Sequence, residues 1–239
     1  MIYTNQEIEE ARNSKGKDRR VYKSRRINNF RELVSYSVEH YAEHIAYKYK
    51  NKPSDKEIIK KTYAEAGMDI KAFGTEMLNR GAKKIAVIGK NRYEWCVTYL
   101  GTTTSGLIIV PLDKLLPDRE IENLIRRSGA DTVVCDEKYL SAIKSMKESE
   151  GNNLKTIICM DKIDDKDVEY WHDVKENGKK LLDKGDKKYE KVEIDENKMS
   201  ILLFTSGTTA EAKGVMLSQK NICVNIEDMA TYSKMYDTD

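Results

Sequence analysis

Residues 85–112 read IAVIGKNRYEWCVTYLGTTTSGLIIVPL, and this stretch decides the fold. Ile85–Gly89 is a short, continuous apolar run, and Leu107–Val110 is a second one, stopped by Pro111. Unbroken runs, rather than alternating ones, are expected of strands buried on both faces. Between them, the stretch from Trp95 to Leu100 begins a helical segment, with Trp95 and Tyr99 four apart as a core-type aromatic pair. Strand, helix and strand in that order make a crossover unit, and such a crossover leaves its two strands parallel.

The alternation continues on both sides. Downstream, Asp118 and Glu120 open a helix with Ile121, Leu124 and Ile125 as its stripe, Arg126 and Arg127 in its last turn and Gly129 just past it. Acid first and base last is the order that the helix dipole favours. Strand Thr132–Cys135, a helix over Leu140, Ile143 and Met146, and strand Thr156–Cys159 follow. Upstream, Ala66, Ile70, Phe73 and Met77 mark a helix that Gly81 can end. Before it, Ile45–Tyr49 and Ile58–Tyr63 flank a turn-rich Asn-Lys-Pro-Ser-Asp segment, a hairpin signal. Phe30, Leu33, Val34 and Val38 predict a helix starting near Asn28, and residues 1–27 form a polar lead-in. The expected fold class is therefore α/β: a doubly wound, largely parallel sheet of five or more strands, with helices on both faces and a marginal β-hairpin. Residues 161–198 break the rhythm; they predict a surface excursion with one amphipathic helix over Trp171–Leu182, its charges forming a solvated face.

Charge and composition narrow the function classes. The 239 residues hold 42 Lys+Arg against 40 Asp+Glu, a net charge of +2, with the signs interspersed. That pattern lacks the basic stripe of a nucleic-acid binder. The longest apolar runs, such as Leu107–Leu112, are too short to span a bilayer. With no leader at Met1–Glu10, the expectation is a cytoplasmic protein, with peripheral membrane contact left open. Cys96, Cys135, Cys159 and Cys223 form no C-x-x-C pair and are expected as buried, reduced thiols. His40, His44 and His172 lack the companion ligands of a metal site, and surface or packing roles are expected of them.

The last unit carries the chemistry. Ile201–Phe204 predicts a strand that delivers the loop Thr205-Ser206-Gly207-Thr208-Thr209-Ala210-Glu211-Ala212-Lys213-Gly214 to the carboxyl edge of the sheet. Open α/β sheets bind their ligands at that edge. A short strand, Val215–Leu217, and a helix capped by Ser218 with Ile222, Ile226 and Met229 on its buried face complete the unit. Four hydroxyls in five residues, a glycine that lets successive N–H groups converge, and a mobile lysine describe a polyphosphate cradle. A Ser/Thr-rich turn with a solvated lysine is the alternative. The spacing does not fit a Walker A loop, because Ala212 precedes Lys213 and Gly214 follows it. No G-x-G-x-x-G follows the first buried strand either.

This loop resembles the T-S-G-T-T-G-x-P-K-G motif of the AMP-forming acyl-CoA synthetases and the wider adenylate-forming ligase superfamily, matching it at eight of ten positions. Asn91–Trp95, Gly106–Leu112 and Gly214–Ser218 leading to Asn221-Ile222 also resemble the long-chain fatty acyl-CoA synthetase branch, so the similarity runs from about Ile45 to about Ile226. The resemblance implies ATP-dependent activation of a long-chain fatty acid to acyl-adenylate and then acyl-CoA, with Mg2+ and CoA as the other participants. It implies that Ser206, Gly207, Thr208, Thr209 and Lys213 hold the β- and γ-phosphates and that the Thr205 hydroxyl lies nearest Mg2+. Aryl-acid or amino-acid activation, and a non-catalytic nucleotide-binding or partner half-synthetase, are the alternatives. Ala210 and Ala212 depart from the family's Gly and Pro. At a backbone position of positive φ, Ala would cost roughly 1–2 kcal/mol. The motifs that contact adenine and ribose, supply a metal-binding glutamate and deliver a late lysine are not found. Residues 28–239 are therefore expected to be the amino-terminal part of an AMP-binding domain without its mobile carboxy-terminal domain, inactive alone, and with exposed apolar surface open to self-association.

Overall fold

The computed structural model describes residues 24–52, 54–205 and 212–232. The lead-in before Ser24 and the central loop residues Ser206–Glu211 lie outside them. The elements in chain order are α1 (Phe30–Tyr41), β1 (Ile45–Tyr49), β2 (Ile59–Thr62), α2 (Tyr63–Asn79), β3 (Lys84–Ile88), α3 (Tyr93–Thr104), β4 (Ile108–Pro111), α4 (Asp118–Ser128), β5 (Thr132–Cys135), α5 (Leu140–Glu148), β6 (Thr156–Cys159), β7 (Glu169–Tyr170), α6 (Trp171–Asp183), α7 (Lys188–Lys191), β8 (Met199–Thr205), β9 (Lys213–Ser218) and α8 (Gln219–Tyr232).

Seven strands form one sheet in the order β7-β6-β5-β3-β4-β8-β9. All neighbours run parallel except β8 and β9, which form an antiparallel hairpin at the edge. Strands β1 and β2 make a separate antiparallel pair, the marginal hairpin. The expected α/β class thus holds.

The pleat sorts each strand's side chains onto two faces. Ala86, Ile88, Val133, Cys135, Ile157 and Cys159 join Ile121, Leu124 and Ile125 of α4 and Ile143 and Met146 of α5 in one core. Ile85, Val87, Ile109, Val134, Ile158 and Ile201 join Phe30, Ile70, Phe73, Met77, Val97 and Trp171 in the other. The continuous apolar runs therefore reflect burial from both sides.

Local chemistry fixes the helix starts. The Asn29 side chain accepts from the Glu32 amide at 2.9 Å. Thr62 and Glu65 form a reciprocal capping box at the start of α2. Gly129 closes α4 in the left-handed conformation at φ +66, following Arg126 and Arg127 in the last turn. Ser218 accepts from the Asn221 amide at 3.2 Å.

Several expectations need correction. Helix α3 starts at Tyr93, not Trp95, because Arg92 is already its N-cap. Trp95 and Tyr99 do stack, 5.5 Å apart, and pack half-buried against the core; the fully buried face of α3 is Val97, Thr98 and Gly101–Thr104. The hydroxyls of Thr102, Thr103 and Thr104 donate within the helix, as in Thr102 Oγ1 to the Thr98 carbonyl at 2.7 Å. Segment 161–198 is no surface excursion. Trp171 is fully buried, and its indole N–H donates to Thr98 Oγ1 at 2.9 Å. Helix α6 lies so close to α2 that a Cβ on Gly178 would sit 2.7 Å from the Ala72 carbonyl carbon and nearer still to its oxygen. On α8 the buried residues are Gln219, Cys223 and Thr231, Ile222 and Ile226 pack partly, and Met229 is exposed. Strand β9 is longer than expected and begins at Lys213 itself. Cys135, Cys159 and Cys223 are buried as free thiols, while Cys96 is half-buried. Burial pushes the thiols of Cys159 and Cys223 up to about 11, which leaves them poor nucleophiles.

Candidate phosphate-binding hairpin and the carboxyl edge

Strand β8 runs parallel to β4, so Thr205 at its end reaches the carboxyl edge of the sheet. The chain returns as β9, and Thr205 is the register partner of Lys213. Directly opposed residues of an antiparallel pair point to the same face, with Cβ atoms about 4.5–5.5 Å apart. The hairpin thus sets one hydroxyl and one ammonium side by side at its mouth, and both residues are exposed. Ser206, Gly207, Thr208 and Thr209 belong to the tip, outside the described residues.

Two further features hold this mouth, and neither was evident in the sequence. Arg127, at the end of α4, donates to the Ala212 carbonyl at 2.8 Å, and its guanidinium stands 5.6 Å from the centre of the Phe204 ring. It ties the returning strand to the helix that precedes β5 in the chain. Gly214 lies opposite Phe204, and a Cβ there would come within 3.3 Å of Leu202 and 3.4 Å of Phe204. The glycine gives the Phe204 ring room beside the backbone of β9. Only an arginine in a helix's last turn, read as dipole compensation, hinted at the first contact.

Along the same edge, past the ends of β3, β5 and β6, a charged network fills the crevice. Arg92 donates to Glu94 at 2.8 Å, Asp136 at 3.1 Å, Asp161 at 2.8 Å and the Met160 carbonyl at 3.0 Å. Asp136 also accepts from the Lys90 amide, and Asp161 from the Glu137 amide. His172 pairs with the second Glu94 oxygen at 3.2 Å. Burial pushes the Glu94 carboxyl up, but the bonds from His172 and Arg92 outweigh it and hold the group down at about 2. Burial likewise pushes the Asp161 carboxyl up, and the bonds from the Glu137 amide and Arg92 outweigh it, so the group is held below its ordinary value. Tyr93 is buried beside this network and donates its hydroxyl to Asp69 at 2.8 Å.

The family model described as "AMP-binding enzyme" matches residues 34–239. The chain belongs to the AMP-binding enzyme family. Among curated proteins this family member is similar to the long-chain-fatty-acid–CoA ligase 5 of Rattus norvegicus, at 28% identity over 193 residues, which is 74% of this chain and 27% of that protein. The chain therefore spans about a quarter of that relative's length. Among solved structures it is similar to a long-chain-fatty-acid-CoA ligase from Archaeoglobus fulgidus, with a TM-score of 0.71 and 17% identity over 87% of this chain and 40% of that one. An anthranilate CoA ligase in complex with anthranoyl-AMP aligns with a TM-score of 0.65 and 16% identity over 81% of this chain and 35% of that one. At such identities the structural matches establish the fold alone, an α/β fold shared with the matched part of those ligases. Among the described residues, no helix is long and apolar enough to cross a membrane.

Proposed function

We propose that this AMP-binding family member serves ATP-dependent activation of a long-chain fatty acid, first to acyl-adenylate and then to acyl-CoA, and that residues 28–239 form the amino-terminal part of the adenylation domain. In that reaction a fatty-acid carboxylate displaces pyrophosphate from ATP, and the CoA thiol then displaces AMP. The complete reaction is proposed for a protein that carries these residues together with the parts that the relatives have beyond them. The observation that carries the reading is the β8–β9 hairpin, which opposes Thr205 and Lys213 at the carboxyl edge, on either side of a loop matching the family motif.

The donor set suits a leaving pyrophosphate. Negative charge grows on the β- and γ-phosphates as the α-phosphate is attacked, and donors already in place need no reorganisation to meet it. In this reading Lys213 neutralises the terminal phosphates, Ser206, Gly207, Thr208 and Thr209 supply the loop's donors, and the Thr205 hydroxyl lies nearest Mg2+, whose role is to neutralise phosphate charge. Arg127 and Gly214 hold the mouth to its register.

The acid class rests on the curated relative's printed name and on the segments Asn91–Trp95 and Val110–Leu112. The test is titration of the chain with ATP and Mg2+, followed by the amide NMR signals of β8 and β9, compared with Lys213→Ala. Losing one charge-assisted contact costs about 1.5–3 kcal/mol, so affinity should fall by roughly tenfold or more. An unchanged affinity refutes the assignment.

A further inference from the structure

A second cleft, of about 540 Å3, opens at the carboxyl edge on the far side of the sheet from the hairpin. Its walls come from the turn after β1, the start of α3, the segment after β6 and the start of α6. It lies past the ends of β3 and β6, two and four inter-strand spacings from β8, about 10 and 19 Å at ~4.8 Å each. The cleft is therefore separate from the β8–β9 mouth.

Its charge is lopsided. Lys50, Lys52, Lys162 and Arg92 face two carboxylates, Glu94 and Asp161. Both carboxylates are committed to Arg92, and Glu94 also to His172. The three lysines are exposed, and none pairs with a carboxylate among the described residues. Such a concavity attracts an anion. The remaining walls are aromatic: Tyr49, Tyr170 and His172 line it, the last two with ring centres 5.1 Å apart. Planar rings of this kind stack on nucleobases without regard to their identity. The volume exceeds that of a bare phosphate and lies in the range of small-molecule sites. The floor is stiff, because Arg92 is held from four directions.

We infer that this cleft binds a nucleoside phosphate, with Lys50, Lys52 and Lys162 taking the phosphates and Tyr49 and Tyr170 the base. The inference does not depend on the reading of the hairpin. Trp171 follows Tyr170 directly, and its ring centre is 5.1 Å from that of His172, so its fluorescence reports on the cleft.

The experiment is an ADP titration of the 239-residue chain, followed by tryptophan emission, in the parent, in Lys213→Ala and in the double variant Lys52→Glu/Lys162→Glu. Circular dichroism establishes that each is folded. The parent and Lys213→Ala should saturate alike, and the double variant, whose changes lie on the exposed rim, should need at least about tenfold more ADP. Inorganic diphosphate should bind at least about tenfold more weakly than ADP, because it cannot stack. A double variant that titrates like the parent overturns the inference, as does a parent with no saturable response. A signal abolished by Lys213→Ala assigns the ligand to the hairpin, and diphosphate equal to ADP removes the role of the rings; either result also overturns it.

Discussion

Replacing Arg92 by Met should be among the most damaging single changes in this molecule. Met reproduces the Arg stem out to its ε position, so the packing of the stem is kept and what is lost is the guanidinium with its charge. Arg92 contacts three carboxylates at 2.8–3.1 Å, and two of them, Glu94 and Asp136, are 8% and 4% exposed. Removing one partner of a buried ion pair leaves its counter-charge uncompensated, at about 3–5 kcal/mol. Arg92 itself is 24% exposed and Asp161 38%, so solvent screens part of the effect and the lower figure, about 3 kcal/mol, is expected. For a chain of this size that corresponds to a fall in Tm of roughly 6–12 °C. The pH dependence carries a sign. In the parent, the Glu94 carboxyl is held down at about 2, so its contribution is present above the unfolded value of about 4.3 and is lost as pH falls through the folded one. Without Arg92, burial is opposed by fewer bonds and the folded value rises. The variant then takes up protons that the parent does not, and the gap between them narrows from pH 7 towards pH 4. Thermal and urea unfolding at both pH values measure this. A loss below about 1 kcal/mol at pH 7, or a gap that widens on acidification, would refute the reasoning.

Two further substitutions test how segment 161–198 is joined to the fold. Gly178→Ala forces α2 and α6 apart, because the new Cβ meets Ala72 backbone. Overpacking of about 1–3 kcal/mol, taken at its upper end, less the ~0.5–1 kcal/mol that Ala gains over Gly in a helix, leaves a net loss of about 2 kcal/mol in urea unfolding; a stabilised variant would contradict the close approach. Trp171→Phe removes the bond to Thr98 Oγ1 and part of a fully buried ring. A loss of about 2–3 kcal/mol is expected, and one below about 0.5 kcal/mol would show that this segment is not part of the core.

The fold was legible where local sequence and burial agree. Ile85–Ile88, Thr132–Cys135 and Thr156–Cys159 are apolar at every or nearly every position, and only a strand covered on both faces needs that. The ends of α4 were legible for a similar reason: acid first, base last and a left-handed glycine are all local signals. The charged stretch after Asp161 misled because its core residues are few. The helix over Trp171 was legible from its period, but its depth was not: Trp171, Val174 and Gly178 form one narrow stripe that outweighs a run of Lys and Asp.

The sequence by itself determined the α/β class, the parallel sense of the central strands and the candidate loop, because each rests on neighbours a few residues apart. Only the tertiary structure decided that Lys213 opens a strand opposite Thr205, that Arg127 fastens that strand from a helix 85 residues earlier, and that Arg92 gathers Glu94, Asp136 and Asp161 at the ends of three strands. Side chains far apart in the chain meet at a sheet edge only after strand order is set. Strand order comes from crossovers and two-sided burial, which no short window of residues contains.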